Sequence, residues 1–130
     1  MPHFRNPADA VVITFKLILK EKPCIIVSGI NIGDNITLDN LFTSGTIAAA
    51  IQSLLNDVPA IAFSVEILTS IERRQLKVSN SNIHWRATAE ITRFMIENLL
   101  SKPYVLNINF PFKIGKRHQC EVNHACKNQV

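Results

Sequence analysis

The chain has 130 residues, 47% of them apolar and 18% charged. That size and balance predict one globular domain with a real core, and they exclude a multidomain, collagen-like or disordered chain. The net charge of +4 divides unevenly: residues 1–111 carry ten Lys and Arg against nine Asp and Glu, whereas residues 112–130 carry four against one. The body is therefore near neutral and ends in a basic tail, with no basic stripe of the kind that tracks a nucleic-acid backbone. Three cysteines, Cys24, Cys120 and Cys126, do not form the dense even pattern of a secreted disulfide scaffold and point to a reduced, cytoplasmic setting. The longest apolar run, Ala10 to Leu19, is interrupted by Thr14 and Lys16 and is too short to cross a bilayer. No signal-peptide pattern opens the chain, so no membrane or export role is expected.

In chain order, Asn6 before Pro7 makes a helix N-cap with proline at the first helical position. Ala8, Val11, Val12, Phe15, Ile18 and Leu19 then recur at helical spacing, which predicts an amphipathic helix ending near Lys20. Cys24 to Val27 is a short apolar run without alternation, as in a strand covered on both faces of a parallel sheet. Ser28 to Ser44, rich in Gly, Asn, Asp and Thr, reads as a long loop, and loops of that length are more often functional than idle. Thr46 to Leu55 is a strong helix whose alanines let it pack close to a sheet. Ala60 to Val65 is a second strand, Glu72 to Asn82 a polar excursion, His84 to Leu100 a third helix lined by Ala87, Ile91, Phe94, Met95 and Leu99, and Tyr104 to Phe110 a third strand stopped by Pro111. This alternation is that of an α/β fold with a mainly parallel sheet. Because the first helix feeds a buried strand, the chain reads as starting partway through a larger unit.

Ligands of open α/β sheets sit beyond the carboxyl ends of the strands. The segment Ser28-Gly29-Ile30-Asn31-Ile32-Gly33-Asp34-Asn35 occupies that place. Its glycines permit unusual backbone or close approach, and its asparagines offer hard oxygen ligands and amide donors; the same residues also suit an ordinary tight turn. Ser44-Gly45-Thr46 precedes the alanine-rich helix. A helix N-terminus with a glycine and two hydroxyls suits a phosphate, and equally provides an ordinary Ser or Thr cap.

Taken together the pieces are more specific. Val27-Ser28-Gly29-Ile30-Asn31, Gly33, Asn35, Ser44-Gly45-Thr46-Ile47-Ala48-Ala49-Ala50 and Val58-Pro59-Ala60-Ile61-Ala62-Phe63-Ser64 resemble the SurE survival-protein family of nucleotidases. Pro7-Ala8-Asp9-Ala10 is similar to that family's Gly-Thr-Pro-Ala-Asp helix start, and Leu106-Asn107-Ile108-Asn109-Phe110-Pro111 to its Leu-Asn-Val-Asn-x-Pro strand. The resemblance, over roughly residues 6 to 111, implies a three-layer Rossmann-like α/β domain followed by the 112–130 tail. It also implies a phosphatase that uses a divalent metal, Mg or Mn, to act on nucleoside monophosphates, and a dimeric or tetrameric assembly. By residue it places Asn31 on the family's asparagine metal ligand, and Asn35, Ser44, Gly45 and Thr46 on its phosphate positions. Asp34, between the two asparagines, is a further candidate to line the pocket.

Departures from the family pattern are informative. Its acidic metal pair, Asp-Asp-Gly after the first strand, and its later serine ligand have no counterpart here, which implies a sheet whose first strand or strands lie upstream of residue 1. Arg5-Asn6 replaces Gly-Thr, Thr37 stands where many members have glycine, and Gln52 stands where glutamate is usual. One neutral asparagine supplies little of the charge that holds a hard dication. A catalytically silent phosphate-binding or oligomerisation module is therefore the alternative to an enzyme. Two His-x-Cys pairs, His118 with Cys120 and His124 with Cys126, leave open a zinc-bearing tail, although their spacing is not that of a common finger. Trp85 beside His84 either contacts a base or anchors packing.

Overall fold

Helix α1 (Pro7–Ile13) begins where the sequence predicts: the Asn6 side chain accepts from the Ala8 N–H at 3.1 Å and proline occupies the first turn. A π-helical turn over Thr14–Ile18 continues it, so helical backbone runs to within two residues of the expected end. The remaining elements are β1 (Ile26–Ile32), α2 (Leu38–Thr43), α3 (Gly45–Leu54), β2 (Ala60–Val65), α4 (Trp85–Asn98) and β3 (Val105–Phe110). They belong to a computed structural model that describes residues 6–66, 85–98 and 104–112. The polar excursion from Glu72 to Asn82, His84, Leu99 and the basic tail with its His and Cys pairs lie outside the described residues.

The three strands form one parallel sheet in the order β1-β2-β3. Every residue of β2 is buried, as expected of a central strand with helices on both faces. Its alternation divides the core. Ala60 and Ala62 point to α3 and pack with Ile47 and Ala50, while Ile61, Phe63 and Val65 point to the other face and pack with Phe110, Phe112 and the α4 residues Trp85, Ile91, Met95 and Ile96. The small side chains on one face allow α3 to lie close to the sheet, and the large ones on the other fill the wider gap under α4. With α1 packed on α3, the architecture is the expected three-layer α/β sandwich. Trp85 is thus a packing anchor.

The connection from α3 to β2 is made by local hydrogen bonds. Ser53, fully buried, donates through its hydroxyl to the Val58 carbonyl at 3.0 Å, and Asp57 takes the left-handed conformation at φ 58° that ends the helix. The boundaries of α3, β2 and β3 agree with the sequence reading to within one residue.

The segment Ser28 to Ser44 differs from the expectation of a continuous loop. Strand β1 continues to Ile32, α2 occupies Leu38–Thr43, and only residues 33–37 remain irregular between them. The strand escaped notice because its alternation is broken by one extra residue: Ser28 pairs with Ala62 but Asn31, not Ile30, pairs with Ser64, a β-bulge. The short helix begins at Thr37, whose hydroxyl accepts from the Asn40 N–H at 3.3 Å. It leaves Leu38 and Phe42 exposed, so no buried apolar stripe announces it. A smaller difference concerns α4, where Phe94 is exposed and Ile96 lies on the core side.

Candidate functional site

The bulge in β1 decides where Asn31 stands. Ile30 and Ile32 both pack into the cluster on the α4 side of the sheet, so Asn31 between them belongs to the α3 side. The register places Asn31, Ser64 and Asn109 side by side across all three strands near their carboxyl ends. Without the extra residue Ile30 would occupy that row. Gly29 makes the bulge possible: its φ is +112°, and a Cβ there would lie 2.2 Å from the Phe63 carbonyl oxygen. The Gly29–Ile30 peptide is cis. Gly33, at φ +153°, sends its N–H to the Val65 carbonyl at 3.0 Å, which carries the chain off the strand end without losing the ladder.

Asn35 is the best-held residue of the loop. It is 3% exposed, and its side-chain amide donates to the Ser64 hydroxyl at 2.5 Å. Its backbone N–H donates to Asn109 Oδ1 at 3.0 Å and its carbonyl accepts from Asn107 Nδ2 at 2.8 Å. Asp34 accepts from the side-chain amide of Asn40 on α2, so this carboxylate ties the loop to the following helix. Asn31 is exposed, and its side chain makes no hydrogen bond among the described residues.

A helix that joins two parallel strands must return the chain from the carboxyl end of the first to the amino end of the second. The N-terminus of α3 therefore lies at the same sheet end as the Asn31 row. Ser44 caps it, accepting from the Ile47 N–H at 3.3 Å. Thr46 in the first turn is 8% exposed, with a hydroxyl that bonds to nothing among the described residues. Gly45 has a packing reason for being glycine, since a Cβ would meet the Pro7 ring at 2.8 Å. The amino ends of α1 and α3 consequently meet; the first-turn N–H groups of α1 are taken up by Asn6, so the unpaired N–H groups at this end of the sheet are those of α3.

The structure thus brings Asn31, Asn35, Ser44, Gly45 and Thr46 to one end of the sheet, with Asp34 beside them but engaged by Asn40. Ser64, Asn107 and Asn109 join them and were given no site role from sequence. Their signal was available in part: two asparagines alternate with Leu106 and Ile108 along β3, and asparagine is depleted in strands. An anion fits the N–H-rich end of α3. A dication does not fit this chain's donors alone, because one free amide oxygen is a weak site and no three His, Cys, Asp or Glu side chains cluster among the described residues. No helix of the described residues is long and apolar enough to cross a membrane.

Known proteins resemble this chain in sequence and in fold. The model of the survival protein SurE family matches residues 5–130. A 5'-nucleotidase SurE of Methanosarcina barkeri is 34% identical over 127 residues, covering 94% of this chain and 48% of its own length. That of Thermofilum pendens is 37% identical over 111 residues, covering 85% and 42%. The crystal structure of the SurE protein from Aquifex aeolicus superposes with a TM-score of 0.66 at 27% identity, over 83% of this chain and 40% of that one. The chain therefore spans less than half the length of the curated relatives it matches. With its family model matched over nearly the whole chain and its site motifs gathered at one end of a parallel sheet, the protein belongs to the SurE family.

Proposed function

We propose that this chain carries the phosphate-binding side of a nucleotidase that removes phosphate from nucleoside 5'-monophosphates. The observation that carries the reading is the meeting of the Asn31 row with the capped N-terminus of α3 at one sheet end, in a chain similar to proteins named 5'-nucleotidase SurE. The free N–H groups of the first turn and the Thr46 hydroxyl would bind the phosphoryl oxygens, where charge develops during transfer. Asn31 is this chain's candidate for one ligand of a divalent metal, with Mg or Mn suited to oxygen donors. A homodimer or homotetramer in the cytoplasm completes the reading.

The donor set favours a second reading in one respect. With no acidic cluster among the described residues, this chain alone would hold phosphate without turning it over, as a binding or oligomerisation module. Phosphate release separates the two. Residues 1–130 with Mn and adenosine monophosphate are expected to turn over far below the ~10 s⁻¹ typical of enzymes, and Asn31→Ala is expected to lower the residual rate about tenfold or more. An ordinary rate that survives Asn31→Ala unchanged would overturn both the donor argument and the assignment of Asn31.

A further inference from the structure

The loop between β1 and α2 is held from an unexpected direction. Its fixed point, Asn35, bonds not to neighbouring loop residues but to side chains 72 and 74 positions away on β3. The backbone groups involved leave no ambiguity about how the asparagine amides are turned. The Asn35 N–H can only donate, so the atom facing it on Asn109 is the carbonyl oxygen; the Asn35 carbonyl can only accept, so the atom facing it on Asn107 is the amide nitrogen. The two side chains then complete each other, with Asn109 Nδ2 donating to Asn107 Oδ1 at 3.3 Å. Two asparagines on one face of a strand imitate the edge of a further strand and grip both sides of a single residue. The same residue is also fixed through its own amide by Ser64 on β2.

We propose that Asn107 and Asn109 are positioning residues: they clamp the backbone of Asn35 and thereby set the loop that spans Asn31 and the N-terminal turn of α3 in the geometry that accepts a phosphate. The ligand part of this rests on the phosphate site proposed above. The clamp explains why polar, β-poor residues occupy alternate positions of β3, and why Asn35 is buried although it lies in an irregular segment. Neither Asn107 nor Asn109 would touch the ligand. Toward Asn35 their chemistry differs: Asn109 accepts and Asn107 donates.

That difference supplies the test, made on the full 130-residue chain. Amide hydrogen exchange at Asn35 needs no ligand. Asn109→Ala removes the acceptor and is expected to speed exchange of the Asn35 N–H at least tenfold, while Asn109→Asp keeps an oxygen in place and is expected to restore slow exchange to within about threefold. A residue that merely packed would not discriminate between Asp and Ala in this way. Titration with inorganic phosphate, followed through the amides of Ser44 to Ile47, is expected to show about tenfold weaker binding in Asn107→Ala, with the thermal midpoint lowered by only a few degrees. Should Asn107→Ala fold poorly, Asn107→Gln, which keeps the donor on a longer arm, replaces it, with binding weakened by a smaller factor. Unchanged exchange in Asn109→Ala, or unchanged phosphate affinity in the Asn107 variant with Asn35 exchange accelerated, would overturn the proposal. Absence of any phosphate response in the parent chain would instead count against the function proposed above and remove the ligand part with it, while exchange in the Asn109 pair would still decide the clamp.

Discussion

Gly29→Ala is expected to be the most damaging small substitution in the chain. The added methyl would have its centre 2.2 Å from the carbonyl oxygen of Phe63, a backbone atom of the central strand that moves only if the sheet moves. The substituted residue would also have to keep φ at +112°, a conformation that side chains with a Cβ avoid at a cost of roughly 1–3 kcal/mol. Strain and overlap together are expected to cost about 4 kcal/mol or more, a large share of the roughly 10 kcal/mol that holds a domain of this size. Urea unfolding followed by circular dichroism should show the midpoint falling by about 2 M or more. A loss under about 1 kcal/mol would mean that β1 does not carry its bulge at Gly29, and the placement of Asn31 would fall with it.

Phe63→Ala is expected to be the most costly truncation. The ring is fully buried on the α4 side of β2 and stacks on Phe110 of β3 with centroids 5.8 Å apart and planes 10° from parallel. Deleting it removes transfer energy and leaves a cavity between β2, β3 and α4, together about 3–5 kcal/mol, with the ring pair contributing about 1 kcal/mol of that. Phe63→Leu, which fills most of the space, should recover more than half. The same denaturation experiment checks both, and near-equal midpoints for Ala and the parent chain would show that α4 does not close over this face.

What sequence made legible and what it did not divide along the range of the interactions. The Asn6 cap, β2 and the alanine face of α3 are written in adjacent residues: an N-cap before proline, an unbroken apolar run after Pro59, small residues at helical spacing. The extent of β1 was hidden because the bulge at Gly29 shifts the alternation, so that Ile30 and Ile32 read as part of a polar loop when they belong to the core. Helix α2 was hidden because Leu38 and Phe42 stay in solvent; Phe42 is 86% exposed. The motifs brought Asn31, Asn35 and Ser44 to Thr46 forward as candidates but could not say what holds them. Gly45 looks like an opening for an anion and is, in addition, the place where Pro7 packs. The partners of Asn35 come from 29 to 74 residues away, a distance over which spacing says nothing.

The bulge, the asparagine row and the end of α3 all serve one claim, that this end of the sheet receives a phosphate ester. A titration of the isotopically labelled chain with adenosine monophosphate, and in parallel with adenosine, tests it most directly. The predicted result is that the nucleotide shifts the amide signals of Asn31 to Asn35 and of Ser44 to Ile47, that inorganic phosphate reproduces those shifts, and that adenosine does not. Shifts of equal size with adenosine, or nucleotide-induced shifts confined to residues away from these two segments, would contradict it.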